Sequence, residues 1–407
     1  MHFYIDPGTG SMLFTVLLGI IGAGIYSLRM AFIKLRYKLG GGKVERLGKK
    51  IPFVIFSDDK RYWNIFEPIL RILSGYGKEI LYITASEDDP ALECALPNFK
   101  AEYLPGNKIY TRLNFLEANV VFSTTPGLDV YQWKRSKGVD RYVHIPHAAS
   151  EIILYRMFGI DYYDAIMLSG EYQAKNIRDL EALRNLPEKD LVMVGIPYMD
   201  EMVNRLKSHE IINNDQKTVL LAPSWGSSAM FAVYGHRIID ELLKTDYHII
   251  IRPHPQSFTS EADMINKLME KYPESERLEW NRDRDNFDVL CRSDILISDF
   301  SGVVFDFSLV YDKPVIYTNP DFDLSLYDAW WLDDELWTVS ALKRIGVELT
   351  EDKLSDIGNL IDDCLNQSQF ADGREQVRAE TWANYGTGAQ KAAEYLIAQY
   401  KMTKRES

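Results

Sequence analysis

The chain has 407 residues, 46% of them hydrophobic and 26% charged, with three widely separated cysteines. That composition excludes a disordered chain, a disulfide framework and a cysteine-based zinc cluster, and the length accommodates two domains of roughly 150 residues plus extras. A net charge of −13 excludes a general nucleic-acid binder, although residues 29–50 carry eight Lys/Arg against Glu45 alone.

Residues 12–28, MLFTVLLGIIGAGIYSL, hold no charge. With Gly10 and Ser11 the run approaches the roughly 20 residues that cross a bilayer core, and it predicts one N-terminal transmembrane helix. A buried core helix is the alternative. No basic stretch precedes the run and no small-residue cleavage site follows it, which argues against a signal peptide. The basic residues lie only on its C-terminal side, so the positive-inside rule puts everything after Arg29 in the cytoplasm, as a single-pass protein of the cell membrane. The basic collar suits anionic lipid head groups. Residues 1–50 are thus expected to be an anchor and basic juxtamembrane segment.

Apolar runs at 51–57, 79–85, 102–106, 119–125, 141–147, 164–170 and 191–197 read as strands, and helical spacing covers 63–77, 171–184 and 199–208. Strands alternating with helices predict a first Rossmann-like domain over 51–208. The polar segment HEIINNDQ (209–216) reads as a linker. The pattern restarts with strands at 217–226 and 247–255, helices at 235–245 and 261–272, then a strand at 294–298, a helix, and a strand at 314–318. These predict a second Rossmann-like domain over 209–371. The aromatic, acidic stretch 322–337 reads as a loop near the cleft. Helices over 352–366 and 372–399 are expected at the end, with 372–407 a C-terminal helical segment.

Candidate chemistry gathers at strand ends, where open parallel sheets bind ligands. DILIS runs into Asp299-Phe300-Ser301-Gly302 and then an apolar helix, and a helix start there offers N–H groups to an anion. Ser298, Asp299, Ser301 and Gly302 are read as a phosphate-binding turn; simple helix capping by Asp299 or Ser301 is the alternative. Arg252-Pro253-His254-Pro255 closes the strand HIII. Its prolines end the strand and aim Arg252 and His254 to the ligand side, where Arg can grip phosphate oxygens and His can carry charge or a proton. A locally hydrogen-bonded His254 is the alternative. His147, beyond Pro146, falls in a loop and is the candidate base, whereas His144 points from within its strand. Ser224 and Trp225 end another strand, and Trp225 could flank a ligand ring. The seven histidines are scattered without metal-ligand spacing, so no metal site is predicted.

The segments APSW (222–225), RPHP (252–255), SDFSGVVFDF (298–307) and DKPVIY (312–317), in that order, resemble the CDP-glycerol glycerophosphotransferase family, which includes the bacterial teichoic acid primases and polymerases. GIPYMD (195–200) and ADGREQVR (371–378) are weaker echoes. The resemblance implies an α/β GT-B-like fold, two Rossmann-like domains facing a cleft, with the donor CDP-glycerol on the second. It implies that Ser301 and Gly302 hold the diphosphate, with Arg252 and His254 adding charge. His147 would be the base that takes the proton of an acceptor hydroxyl while CMP leaves. No cofactor is implied, and a divalent cation is compatible with this chemistry. The acceptor implied is a lipid-linked or polymeric glycan at the membrane, with no nucleic acid partner. The chain departs from the family at His147-Ala148-Ala149-Ser150-Glu151, where many members have His-Gly followed by Lys, at Gly226 after the tryptophan, and at Ser301-Gly302. A transferase using CDP-ribitol or a nucleotide sugar, and an inactive scaffold of the same fold, are the competing readings.

Overall fold

β1 (Ile51–Ser57) is apolar along its length and buried at every position, which suits the centre of a parallel sheet covered on both faces. The computed structural model describes residues 50–405 apart from 210–215, 284, 300, 319–323 and 367–368, together with Leu28. The chain divides into two units, 1–49 and 50–407. The expected membrane-spanning run at 12–28 lies, except for Leu28, outside the described residues. Among the described residues no helix is long and apolar enough to cross a membrane.

Among those residues, seven parallel strands form the first sheet: β1, β2 (Ile80–Thr84), β3 (Phe99–Tyr103), β4 (Glu117–Ser123), β5 (Gly138–His144), β6 (Ala165–Leu168) and β7 (Asp190–Met193). Their order is β3-β2-β1-β4-β5-β6-β7. Six more form the second: β8 (Thr218–Ala222), β9 (His248–Ile251), β10 (Leu278–Trp280), β11 (Ile295–Ser298), β12 (Val315–Tyr317) and β13 (Gly346–Glu348), in the order β10-β9-β8-β11-β12-β13. Each order reverses direction once, between β1 and β4 and between β8 and β11, and those two switch points open toward ligands.

The period-2 alternation of strands sorts the core. Phe53 and Ile55 face one side of the first sheet with Phe122, while Val54 and Phe56 face the other with Leu81 and Ile83. In the second sheet Leu220 and Leu296 join the cluster containing Phe53, whereas Val219, Leu221, Ile249 and Ile297 pack on the opposite face.

Two segments of late sequence return to the first sheet. Asp328, fully buried, accepts the N–H groups of Phe158 (2.8 Å) and Gly159 (2.9 Å) and pairs with Arg184, which docks the stretch read as a loop near the cleft. The expected continuous helix over 372–399 is two helices, Gln369–Thr381 and Gly388–Thr403. Between them Asn384 and Gly386 take positive φ, and Asp200 accepts Trp382 Nε1–H and the N–H groups of Gly386 and Gly388 at 2.7–2.9 Å. The glycines beneath are required: a Cβ on Gly195 would sit 1.8 Å from the Ala383 carbonyl oxygen, and one on Gly170 2.0 Å from that of Glu380. The last helix then packs on the helix Trp63–Ser74 of the first sheet.

Candidate active site

At the second switch point β11 lies beside β8 with Ser298 opposite Ala222. That register decides where the polar residues point. Ser298 Oγ donates to the Ala222 carbonyl at 2.6 Å, and the Asp299 carboxylate accepts the N–H groups of Ser224 and Met230 at 3.0 Å. Both residues are fully buried. Burial pushes Asp299 up to about 6, against the lowering pull of these N–H groups. This corrects the expectation that Ser298 and Asp299 contact phosphate: their oxygens fasten the loop after β8 to the end of β11, and a carboxylate there would repel an anion.

What the clamp holds is the loop 223–230. Ser224 is buried with its N–H committed to Asp299, while Trp225 beside it is 46% exposed. Gly226 has φ +97° and donates its N–H to Glu261 at 2.9 Å. The left-handed backbone accounts for glycine at that position. The Trp225 ring lies 6.5 Å from that of His254.

His254 Nδ1 accepts the N–H of Gln256 at 3.1 Å, so a neutral ring carries its proton on Nε2. Burial, then the positive charge of Arg61, lowers His254 to about 4, with Asp59 and Glu261 pulling the other way. Arg252 is not a free fork. Its guanidinium donates to the Asn281 side-chain oxygen and to the Asp283 carbonyl at 2.9 Å, which braces it at the strand end where a phosphate grip is expected.

In the first domain β5 ends at His144, which is fully buried with Nε2 3.1 Å from the Tyr155 hydroxyl, and burial lowers it to about 3. Three residues on, the His147 ring lies 5.2 Å from Tyr62 and stacks on Tyr155 at 6.0 Å. Its Nδ1 is buried without a partner among the described residues. Burial, aided by Arg61, lowers His147 to about 4. A cavity of about 150 Å³ opens beside it, lined by His147, Ala148, Ser150 and Tyr155 among others. Glu151 is spent on structure: it accepts the Thr338 N–H at 2.8 Å and the Thr338 hydroxyl.

The two halves meet at Gly302. A Cβ there would come within 3.1 Å of the Ala148 Cβ, so the Ser301-Gly302 turn lies against the loop of His147. The structure thus brings together His147, Ser301 and Gly302, with His254 and Trp225 paired on the second domain. Sequence reasoning passed over the charged turn Asp58-Asp59-Lys60-Arg61-Tyr62. Its signal was position: it follows β1 at the first switch point, by the same rule that located the other turn. Among the described residues no set of His, Cys, Asp or Glu could hold a metal ion.

Comparison with known proteins places this arrangement. Residues 133–329 match the family described as CDP-glycerol:poly(glycerophosphate) glycerophosphotransferase. The teichoic acid glycerol-phosphate primase of Bacillus subtilis (strain 168) is 26% identical over 174 residues, 40% of this chain and 41% of that protein. The teichoic acid poly(glycerol phosphate) polymerase of Bacillus spizizenii is 30% identical over 152 residues, 33% of this chain and 36% of that protein. The alignments thus span about two fifths of the length of these relatives. A solved wall teichoic acid polymerase, TagF, superposes with a TM-score of 0.58 at 15% identity, covering 93% of this chain and 96% of that one. UDP-GlcNAc 2-epimerase from Neisseria meningitidis gives 0.55 at 13% identity, over 86% and 100%. These structures share the fold, an α/β GT-B-like pair of parallel sheets. Through residues 133–329 the chain is similar to the CDP-glycerol glycerophosphotransferase family.

Proposed function

We propose that the chain transfers glycerol phosphate from CDP-glycerol to a hydroxyl of a lipid-linked or polymeric glycan, releasing CMP. The observation that carries this reading is the contact of Gly302 with Ala148, which sets the donor-side turn beside His147. In the proposed reaction Ser301 and Gly302 hold the diphosphate and Trp225 flanks the cytosine. His147 takes the acceptor proton as its oxygen attacks the β-phosphorus. The bond to CMP breaks, and His254 supplies an Nε2–H to the departing phosphate. Positioning and electrostatics do most of the work in such a transfer. Residues 12–28 and the basic collar are proposed to tether the enzyme to the cytoplasmic face of the cell membrane through a single span and anionic lipids. No cofactor is needed for this scheme; a divalent cation, if used, would be revealed by chelation with EDTA.

The test is CMP release from CDP-glycerol by the full chain with a lipid extract as acceptor source, for wild type, His147→Ala and His254→Ala. Loss of about 10²-fold or more in each variant is the scale expected for an acid–base group. Turnover driven by CDP-ribitol or a UDP-sugar instead would replace this donor, and CDP-glycerol binding without turnover under any acceptor would make the chain a scaffold.

A further inference from the structure

The charged turn after β1 has no part in the scheme above, yet it lies in the same space. Asp59 caps the turn Lys60–Tyr62 by accepting the Arg61 N–H at 2.9 Å, and the same Oδ1 pairs with Arg61 Nε at 2.9 Å. Arg61 is therefore held from its backbone and its inner nitrogen. Among the described residues its ion pairs stop at Asp59, and its side chain is 39% exposed. That leaves the Nη1/Nη2 edge as a fork for an anion. The neighbouring Tyr62 fixes its location: the guanidinium carbon is 5.8 Å from the Tyr62 ring centroid, and that ring is 5.2 Å from the ring of His147. His147 adjoins Ala148, and Ala148 touches Gly302. The charge of Arg61 lowers both His147, on the first domain, and His254, on the second, so its field reaches both walls of the cleft.

We propose that Arg61 is a catalytic residue whose Nη edge binds oxygens of the phosphoryl group under transfer, presented from the domain opposite the Ser301-Gly302 turn, with Asp59 as the residue that positions it. This rests on the phosphotransfer reading. In the step, the acceptor O–P bond forms as the P–O bond to CMP breaks, the hydroxyl proton passes to His147, and the bridging oxygen leaves with CMP. Arg61 exchanges no proton. It neutralises charge on the oxygens that remain on phosphorus, which a planar two-pronged cation does better than an ammonium.

The experiment uses the full chain with CDP-glycerol and compares wild type with Arg61→Ala, Arg61→Lys and Asp59→Asn. Arg61→Ala is expected to lower kcat by about 10²–10³-fold with an unchanged thermal midpoint. Arg61→Lys recovers only part of the loss, and Asp59→Asn, which keeps a cap oxygen but not the ion pair, loses less. The acid limb of the pH–rate profile moves to higher pH in Arg61→Ala, because the positive charge that helps lower His147 and His254 is gone while Asp59 and Glu261 still raise His254. A kcat for Arg61→Ala within about threefold of wild type, full rescue by Lys, or an unmoved acid limb overturns the proposal. A parallel titration with inorganic pyrophosphate separates the two readings. If wild type releases no CMP the donor assignment fails, while weaker pyrophosphate binding by Arg61→Ala still supports a phosphate fork and equal binding refutes it.

Discussion

Replacing Asp299 by Ala tests whether this residue is a clamp or a ligand. The carboxylate is fully buried and its two oxygens serve the N–H groups of Ser224 and Met230. Truncation leaves both donors buried without acceptors, at about 1–3 kcal/mol each, so the loss is about 2–6 kcal/mol. That is a large part of the roughly 5–15 kcal/mol that holds a typical protein folded. Asp299→Asn retains one oxygen, and an oxygen placed where Oδ2 lies still meets both N–H groups. The amide relieves a buried charge but points an NH₂ at the Ser224 N–H, so a smaller loss of about 1–3 kcal/mol is expected. Urea unfolding followed by tryptophan fluorescence and circular dichroism measures both variants. CMP release at a temperature well below either midpoint completes the comparison. A clamp predicts that Asp299→Asn keeps kcat and raises KM for the donor, because the loop bearing Trp225 loosens. Wild-type stability in Asp299→Ala, or loss of turnover in Asp299→Asn without loss of stability, refutes the reasoning.

Gly195→Ala is expected to release the C-terminal segment from the first sheet, since its Cβ would overlap the Ala383 carbonyl and its φ is +91°. A loss of about 3 kcal/mol or more, with new protease cleavage near 382–387, is the expected result; an unchanged midpoint counts against the packing. His144→Gln probes acid stability. Burial lowers His144 to about 3, so between that value and its ordinary 6.5 the unfolded chain binds a proton that the fold does not. Stability is therefore lost as pH falls through that window and is fully present above it, and the Gln variant should flatten part of the slope between about pH 7 and about pH 4.5. An equal slope in urea midpoints would place the titration elsewhere.

The central strands were legible because each carries its own signal. IPFVIFS, HIII and ILIS are apolar enough to be buried on both faces, and Glu171–Arg184 has both helical spacing and Asn185 in the left-handed conformation to end it. β10 and β13 were not. Three residues such as Leu278–Trp280 or Gly346–Glu348 become strands because β9 and β12 lie alongside them, which is not a local property. The helix Trp337–Ile345 begins with residues of weak helix propensity, and its start is fastened by Glu151, 187 residues away. At the site, strand ends gave the positions of His147, Trp225, His254 and Gly302. Side-chain direction was another matter. Ser298 and Asp299 point inward because of the register with β8, and no pattern within 294–317 contains that register. The break after Thr381 did have a local signal, Asn384 and Gly386, which helical spacing on either side obscured.

The histidines of the cleft pose a question of charge. His147 and His254 both stand at about 4, so at neutral pH neither carries the positive charge a diphosphate invites. Burial is the main cause in each case, and burial costs are offset by a counter-charge. Restoring His254 from about 4 to its ordinary value takes roughly 3–4 kcal/mol. A unit negative charge about 5 Å away supplies roughly 3 kcal/mol at an effective dielectric of about 20, and a diphosphate brings two. Protonating Nδ1 also gives up the Gln256 N–H it accepts, at about 1–3 kcal/mol. Donor binding is therefore expected to carry His254 close to neutrality, with uptake of a fraction of a proton per donor bound near pH 7. Calorimetric titration with CDP-glycerol in two buffers of different ionisation enthalpy measures that uptake directly, and His254→Gln should abolish it. Uptake that survives in His254→Gln would move the proton to His147 and make the assigned base start the reaction already protonated. Binding with no uptake at all would leave His254 a neutral hydrogen-bond donor, and the proton for the leaving phosphate would have to come from solvent.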